Sequence, residues 1–170
     1  MWELYDHRCY VRNRRSVCSY SSGATSWSTK CPRRDSTLIM SLDPQNLTSE
    51  INDFLIERHL ASLTLIRGNG TPHVTAVGFT WDYEAQLARV ITWSGSMKTK
   101  ILQASPGSRA VVCQIDGGRW LSLEGKAIVS DDIERCRQGT ERYAERYRVP
   151  KERADRTVIE ISVDRVLGYA

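Results

Sequence analysis

From Leu60 to Ser130 the chain alternates short β-branched runs with glycine- or aspartate-bearing turns, and this pattern constrains the fold more than any other feature. "LASLTLIR" (60–67) and "TPHVTAVGFTW" (71–81) flank "GNG", a hairpin signal because glycine and asparagine tolerate the positive φ of tight turns. "LARVITW" (87–93) follows the turn "DYEAQ", and "RAVVCQI" (109–115) joins "RWLSLEGKAIVS" (119–130) across "DGG". Successive hairpins make the sheet mainly antiparallel. Helical patterning falls outside these runs. A first helix, capped by Thr48 or Ser49, carries Ile51, Phe54 and Leu55 on one face and runs to about Arg58. "SMKTKILQA" suits a short helix capped by Ser94 or Ser96 and ended before Pro106, and a charged helix spans about Asp131 to Tyr147. "RTVIEISVDRVLGY" (156–169) is the last strand. Six strands with bridging helices predict a mainly β fold with flanking helices, a six-stranded antiparallel split β-barrel, rather than an open doubly wound sheet. Gly78, Gly117, Gly118 and Gly125 are its expected bend or bulge points.

The 170 residues suit one substantial core, and charge divides them unevenly. Residues 1–39 hold seven Lys/Arg against three Asp/Glu, and the remainder seventeen of each sign, so the net +4 belongs to the leader. A neutral domain argues against a fold that grips a nucleic-acid backbone, which needs a field of one sign. The leader is rich in Ser and Arg without a period of 2 or 3.6, and reads as disordered. It is a basic arm, a transit-type segment, or sequence upstream of a true start at Met40; the last is favoured because "MSLDPQNLTSEINDFL" opens as a domain does. The domain is thus expected at 40–170. Five cysteines without a framework suggest a reducing compartment, and no run approaches the ~18 apolar residues of a membrane span, so the cytoplasm is expected.

The corner "WSGSMK" gathers the chemistry. If a helix starts near Ser96, its first free amides, the Ser94 and Ser96 hydroxyls and the Lys98 ammonium converge on an anion pocket; the competing reading is an ordinary cap with solvated lysines. The Walker spacing and G-x-G-x-x-G are both absent, which argues against nucleoside triphosphates. "PHVTAV" supplies small and β-branched residues against which a flat ring can lie, with His73 as its titratable group. "DGGRW" places Asp116, Arg119 and Trp120 at a turn, where Arg119 could hold a carboxylate and Trp120 could stack on a ring; a turn with Trp120 in the core competes. His7, His59 and His73 lack metal-ligand spacing, so no metal is expected. The charged helix reads as a solvated face, with Arg142, Arg146 and Arg148 a lesser possibility for meeting an acidic ligand tail.

The series "ERHLASLTLIRGNGTPHVTAVGFTWD", "ARVITWSGSMK", "QIDGGRWLSLEGKAIV", "RYAERYRVP" and "VIEISVDRVLG" resembles the split-barrel oxidoreductases of the pyridoxamine 5′-phosphate oxidase superfamily. Within it the sequence is most similar to the deazaflavin branch that uses coenzyme F420, in particular the actinobacterial F420-dependent biliverdin reductases. The resemblance covers roughly residues 50–168 and implies a homodimer with the cofactor in a groove between two barrels. It further implies that His73, Val74, Thr75, Ala76 and Val77 back the deazaflavin ring, that Ser94, Gly95, Ser96, Met97 and Lys98 bind the phosphate end, and that Asp116, Arg119 and Trp120 border the pocket. One departure stands out: the family's Lys-x-x-Asn-Leu reads Lys98-Thr99-Lys100-Ile101-Leu102 here, with an apolar residue in the Asn position.

The implied chemistry is hydride transfer from the reduced ring to a conjugated acceptor such as biliverdin, with His73, Arg119 or water supplying the proton. Alternatives are an FMN-dependent enzyme of the same fold, for which Arg89 is the only basic residue of strand 87–93, a non-catalytic flavin, deazaflavin or tetrapyrrole carrier, and a nucleic-acid binder acting through the leader.

Overall fold

The structure is a computed structural model that describes residues 41–170; residues 1–39, expected to form a disordered leader, and the expected start at Met40 lie outside the described residues. In chain order the elements are β1 (Ser41–Leu42), α1 (Ser49–Ile56), β2 (Ala61–Ile66), β3 (Pro72–Val77), β4 (Thr80–Asp82), β5 (Leu87–Trp93), α2 (Met97–Ala104), β6 (Ser108–Asp116), β7 (Arg119–Ser130), α3 (Ile133–Arg146) and β8 (Arg156–Tyr169). Thr48 caps α1 as expected, its hydroxyl accepting from the Ile51 amide.

The hydrogen-bonded path runs β3-β2-β6-β7-β8-β5-β4, with β1 on β8 and every pair antiparallel. Six strands were expected and eight are present among the described residues. β1 is short, and the single run 71–81 is two strands at opposite ends of the path, divided at Gly78-Phe79. The sheet does not close by hydrogen bonds; one covalent segment bridges its two ends.

The C-terminal end of α3 makes that division possible. A Cβ on Gly78 would stand 2.8 Å from Tyr143 Cε2, so the two tyrosines of α3's last turns close over bare backbone. Phe79, fully buried, has left the ladder and needs other partners. Its amide donates to Tyr147 Oη at 3.2 Å, and its carbonyl accepts from Arg146 Nη1 at 2.6 Å. Arg146 also donates to the Glu57 carbonyl at 2.6 Å and to Gln114 Oε1 at 2.7 Å, while Tyr147 donates to the His59 carbonyl. One arginine and one tyrosine thus stand in for the missing strand neighbours.

Phe54 and Leu55 of α1 enter the core with Leu63, Leu65, Leu102, Leu121, Leu123, Ile159 and Ile161. Where β7 meets β8 the register shifts at Glu124/Gly125; a Cβ on Gly125 would lie 2.0 Å from the Ser162 carbonyl oxygen, so the bulge expected there requires glycine. A buried charge chain fixes α3 to the sheet. Arg89 donates to Asp82 at 2.6 Å and Glu160 at 3.2 Å, while Arg142 and Arg135 of α3 pair with the same two carboxylates at 2.9 and 3.0 Å. Only part of α3 is therefore the solvated face that its charge density predicts, as in the exposed Glu134–Arg137–Glu141 group.

Candidate active site

The corner between β5 and α2 is built from hydroxyls. Ser96 is the N-cap, and its Oγ accepts the Thr99 amide at 3.2 Å and the Thr92 hydroxyl at 3.1 Å. Thr99 Oγ1 donates to the Trp93 carbonyl at 2.9 Å, so in the 3.0 Å Ser96–Thr99 hydroxyl pair Ser96 is the donor. The Ser96 hydroxyl is saturated from within and only 3% exposed. The anion pocket expected to include it must do without it, because Thr92 and Thr99 occupy it from the protein side. Ser94, Gly95 and Met97 are exposed, and Lys98 is half-buried with Nζ 5.5 Å from the Trp93 ring centre. Burial lowers the Lys98 pKa. Ile101, in the position where the resembling family carries Asn, lies in the core at 8% exposure.

A cavity of about 310 Å³ opens beside this corner. Ala76, Val77 and Gly78 line it from the kinked segment, Val90 to Trp93 from β5, and Tyr143 from α3. Its charged lining is Lys98, Lys151, Arg153 and Arg156, with no carboxylate. Apolar strand surface and a cationic lining, in which Arg153 alone pairs with a carboxylate, together suit a flat molecule with an anionic extension.

His73 sits on β3 opposite Leu65. Arg67 Nη2 donates to its Nδ1 at 3.0 Å, and because guanidinium can only donate, the ring proton resides on Nε2. Burial first, then the charges of Arg67 and Lys98, lower the His73 pKa, which keeps the imidazole neutral at pH 7. Val74 and Ala76 project to the outer face of the sheet, both exposed, while Thr75 is half-buried.

The turn between β6 and β7 is a separate cluster. Arg119 holds both Glu57 oxygens at 2.9 Å and Asp116 at 2.6 Å, and its guanidinium lies 4.5 Å from the centre of the Phe54 ring. Glu57, then Asp116, push the Arg119 pKa up; in return Arg119, then His59, hold the Glu57 carboxyl down at about 2. Asp116, Arg119 and Trp120 do not line the cavity in this chain, and an arginine so paired is poorly suited to giving up a proton. Glu57, His59 and Asp116 also bring metal-ligand atoms within 4.8 Å of one another, which sequence spacing did not suggest because Asp116 arrives from a distant turn; Arg119 pairs with both carboxylates.

Sequence reasoning missed the basic side of the cavity. Arg142 and Arg146, considered for an acidic tail, are bound to Asp82 and to buried carbonyls. Lys151, Arg153 and Arg156 line the cavity instead, from a stretch whose alternating charges and lack of period look like plain linker.

The comparisons with known proteins agree with this architecture. A family described as pyridoxamine 5′-phosphate oxidase matches residues 47–170. The chain is 50% identical over 129 residues to an F420H(2)-dependent biliverdin reductase of Mycobacterium tuberculosis, covering 74% of this chain and 93% of that protein. Among solved structures, a conserved hypothetical protein from Mycobacterium tuberculosis has a TM-score of 0.61 at 23% identity, covering 73% of this chain and 85% of the other. A structure described as an F420 reductase has a TM-score of 0.50 at 23% identity, covering 70% and 93%, and these two likenesses bear on fold alone. With its split antiparallel sheet and a match from Leu47 to the last residue, the chain belongs to the pyridoxamine 5′-phosphate oxidase family.

Proposed function

We propose that this protein is an F420-dependent oxidoreductase that reduces a conjugated acceptor, biliverdin in the first instance, in the cytoplasm. The observation that carries the reading is the cavity in which apolar strand surface at Ala76–Gly78 meets a half-buried, unopposed Lys98. Half of the 129 aligned residues are identical in a biliverdin reductase named for this cofactor, across 93% of that protein, which supports the same assignment. When bound in its reduced form, F420 would supply a hydride to the acceptor.

The chain's own residues place and exclude. Ala76, Val77 and Gly78 offer a surface without polar protrusions on which a ring can lie. Lys98 offers an anion a charge that is already partly dehydrated, so the pairing requires little further loss of water. His73 presents a neutral Nε2–H held in one tautomer by Arg67, suited to donating a hydrogen bond to a carbonyl. The proton that accompanies the hydride then comes from solvent. The FMN alternative would draw on Arg89, which is 6% exposed and whose guanidinium is committed to Asp82 and Glu160.

The site is completed by a second copy of the chain in this reading. The outer face of the sheet carries cross-strand rows without charge, such as Ala76–Ser62–Cys113–Ser122–Leu167. Val74 and Ile115 on that face are each 60% exposed and Tyr169 58%, more apolar surface than a lone domain usually leaves in water. Sedimentation equilibrium is expected to give twice the chain mass, and Ile115→Lys to shift it toward a monomer; a wild-type monomer at micromolar concentration would remove the dimer.

Fluorescence titration with F420 and, separately, FMN tests the cofactor, followed by mixing reduced F420 complex with biliverdin and following both absorbances. Lys98→Ala should weaken F420 binding about tenfold, ~1.4 kcal/mol, with little change in unfolding midpoint. Unchanged affinity in that variant removes Lys98 from the site, and preference for FMN overturns the assignment.

A further inference from the structure

The basic residues that follow α3 supply three of the cavity's four cations. Arg146 and Tyr147 end α3 against buried backbone, and β8 begins at Arg156. Between them runs an exposed segment whose Lys151 and Arg153, with the half-buried Arg156 at the start of β8, line the same cavity as Lys98. Arg153 and Lys98 both lie over Trp93, their charged groups 5.1 and 5.5 Å from the centre of that ring. Arg156 donates to the Lys151 carbonyl, which ties the start of β8 to the backbone of the preceding segment. Arg153 pairs with Asp155, but both are exposed, and an exposed pair is readily exchanged for another carboxylate. Among the described residues, Lys98, Lys151 and Arg156 have no carboxylate partner.

The cavity's size gives these cations a task. At about 310 Å³ it stands at the small end of ligand pockets, enough for a ring system and little more. Whatever else a ligand carries must run out over the rim, and the rim beyond Lys98 is the 150–156 segment. On the cofactor reading above, we propose that Lys151, Arg153 and Arg156 form a carboxylate-binding arm at the cavity mouth, separate from Lys98, that receives the anionic groups of a bound molecule as they leave the cavity. Two molecules of the proposed reaction bear such groups: the cofactor with its anionic tail, and biliverdin with its propionates.

The test uses the full chain and the double variant Lys151→Glu/Arg153→Glu, both exposed positions whose charge reversal leaves the core intact. Dissociation constants are measured by fluorescence for F420, for the deazaflavin nucleoside that lacks phosphate and tail, for biliverdin and for biliverdin dimethyl ester, at low and high salt. If the arm takes the cofactor tail, the variant binds F420 about tenfold more weakly, the salt dependence flattens, and the nucleoside is unaffected. If it takes the substrate, the loss appears for biliverdin and vanishes for the dimethyl ester. Equal affinities of variant and wild type for all four, with F420 still bound, overturn the arm while leaving the cofactor reading intact. A wild-type protein that binds neither F420 nor the nucleoside ends the cofactor reading, and the arm with it.

Discussion

Arg146→Ala is expected to cost the fold about 4 kcal/mol and to lower its melting temperature by more than about 10 °C. The side chain donates to the carbonyls of Glu57 and Phe79 and to Gln114 Oε1, and it lies 4.5 Å from the Phe79 ring. Gln114 and Phe79 are fully buried, so truncation leaves acceptors in the interior without donors. Each such loss is worth roughly 1–3 kcal/mol. The site of damage matters as well, because Phe79 is where one segment crosses between the two ends of the sheet. Arg146→Lys should recover only part of the loss: an ammonium keeps the charge but cannot span three acceptors with a planar fork. Thermal unfolding at fixed protein concentration decides it. An alanine variant within about 1 kcal/mol of wild type would mean that the split is held elsewhere.

That clamp also marks where sequence reasoning stopped. The strands 87–93, 119–130 and 156–169 have the bounds expected of them, because alternation and flanking turn residues are local properties. The run 71–81 is as β-rich as any of these, and its break depends on Tyr143, Arg146 and Tyr147, more than sixty residues away. Nothing near Gly78 announces them. The same limit applies to the site. Ser96 was legible as a cap, but the direction of its hydroxyl depends on Thr92 and Thr99 together, which pattern alone does not reveal. Ala76, Val77 and Lys98 line one cavity although β4 and β5 separate β3 from the start of α2 in sequence. Lys151, Arg153 and Arg156 reach it through the placement of α3, and charge in a linker carries no address. Arg119, which in sequence looks free to meet a ligand, finds Glu57 from another element.

Arg89→Met should destabilise the protein by about 3 kcal/mol at pH 7, and by much less near pH 4. Burial alone would push the Asp82 carboxyl up; the Arg89 hydrogen bond, the Ala85 amide and the charges of Arg142 and Arg89 outweigh it and hold the pKa below 3.8. In wild type this depressed carboxylate contributes stability at all pH above 3.8, lost only as pH falls through the lower folded value. Without Arg89, burial has less to oppose it, and the folded pKa rises. The protonated form is then favoured in the native state, and stability declines as pH climbs from acid toward neutral, opposite in sign to the wild-type contribution. Arg142 still reaches Asp82 and Arg135 still reaches Glu160, which keeps the loss below that of a wholly orphaned pair. Urea unfolding at pH 7 and pH 4 measures the difference, and Asp82→Asn in the Arg89→Met background should recover part of the neutral-pH loss by removing the unpaired charge. A penalty equal at both pH values, or no recovery in the double variant, would assign the effect to packing around Arg89 instead of to its charge.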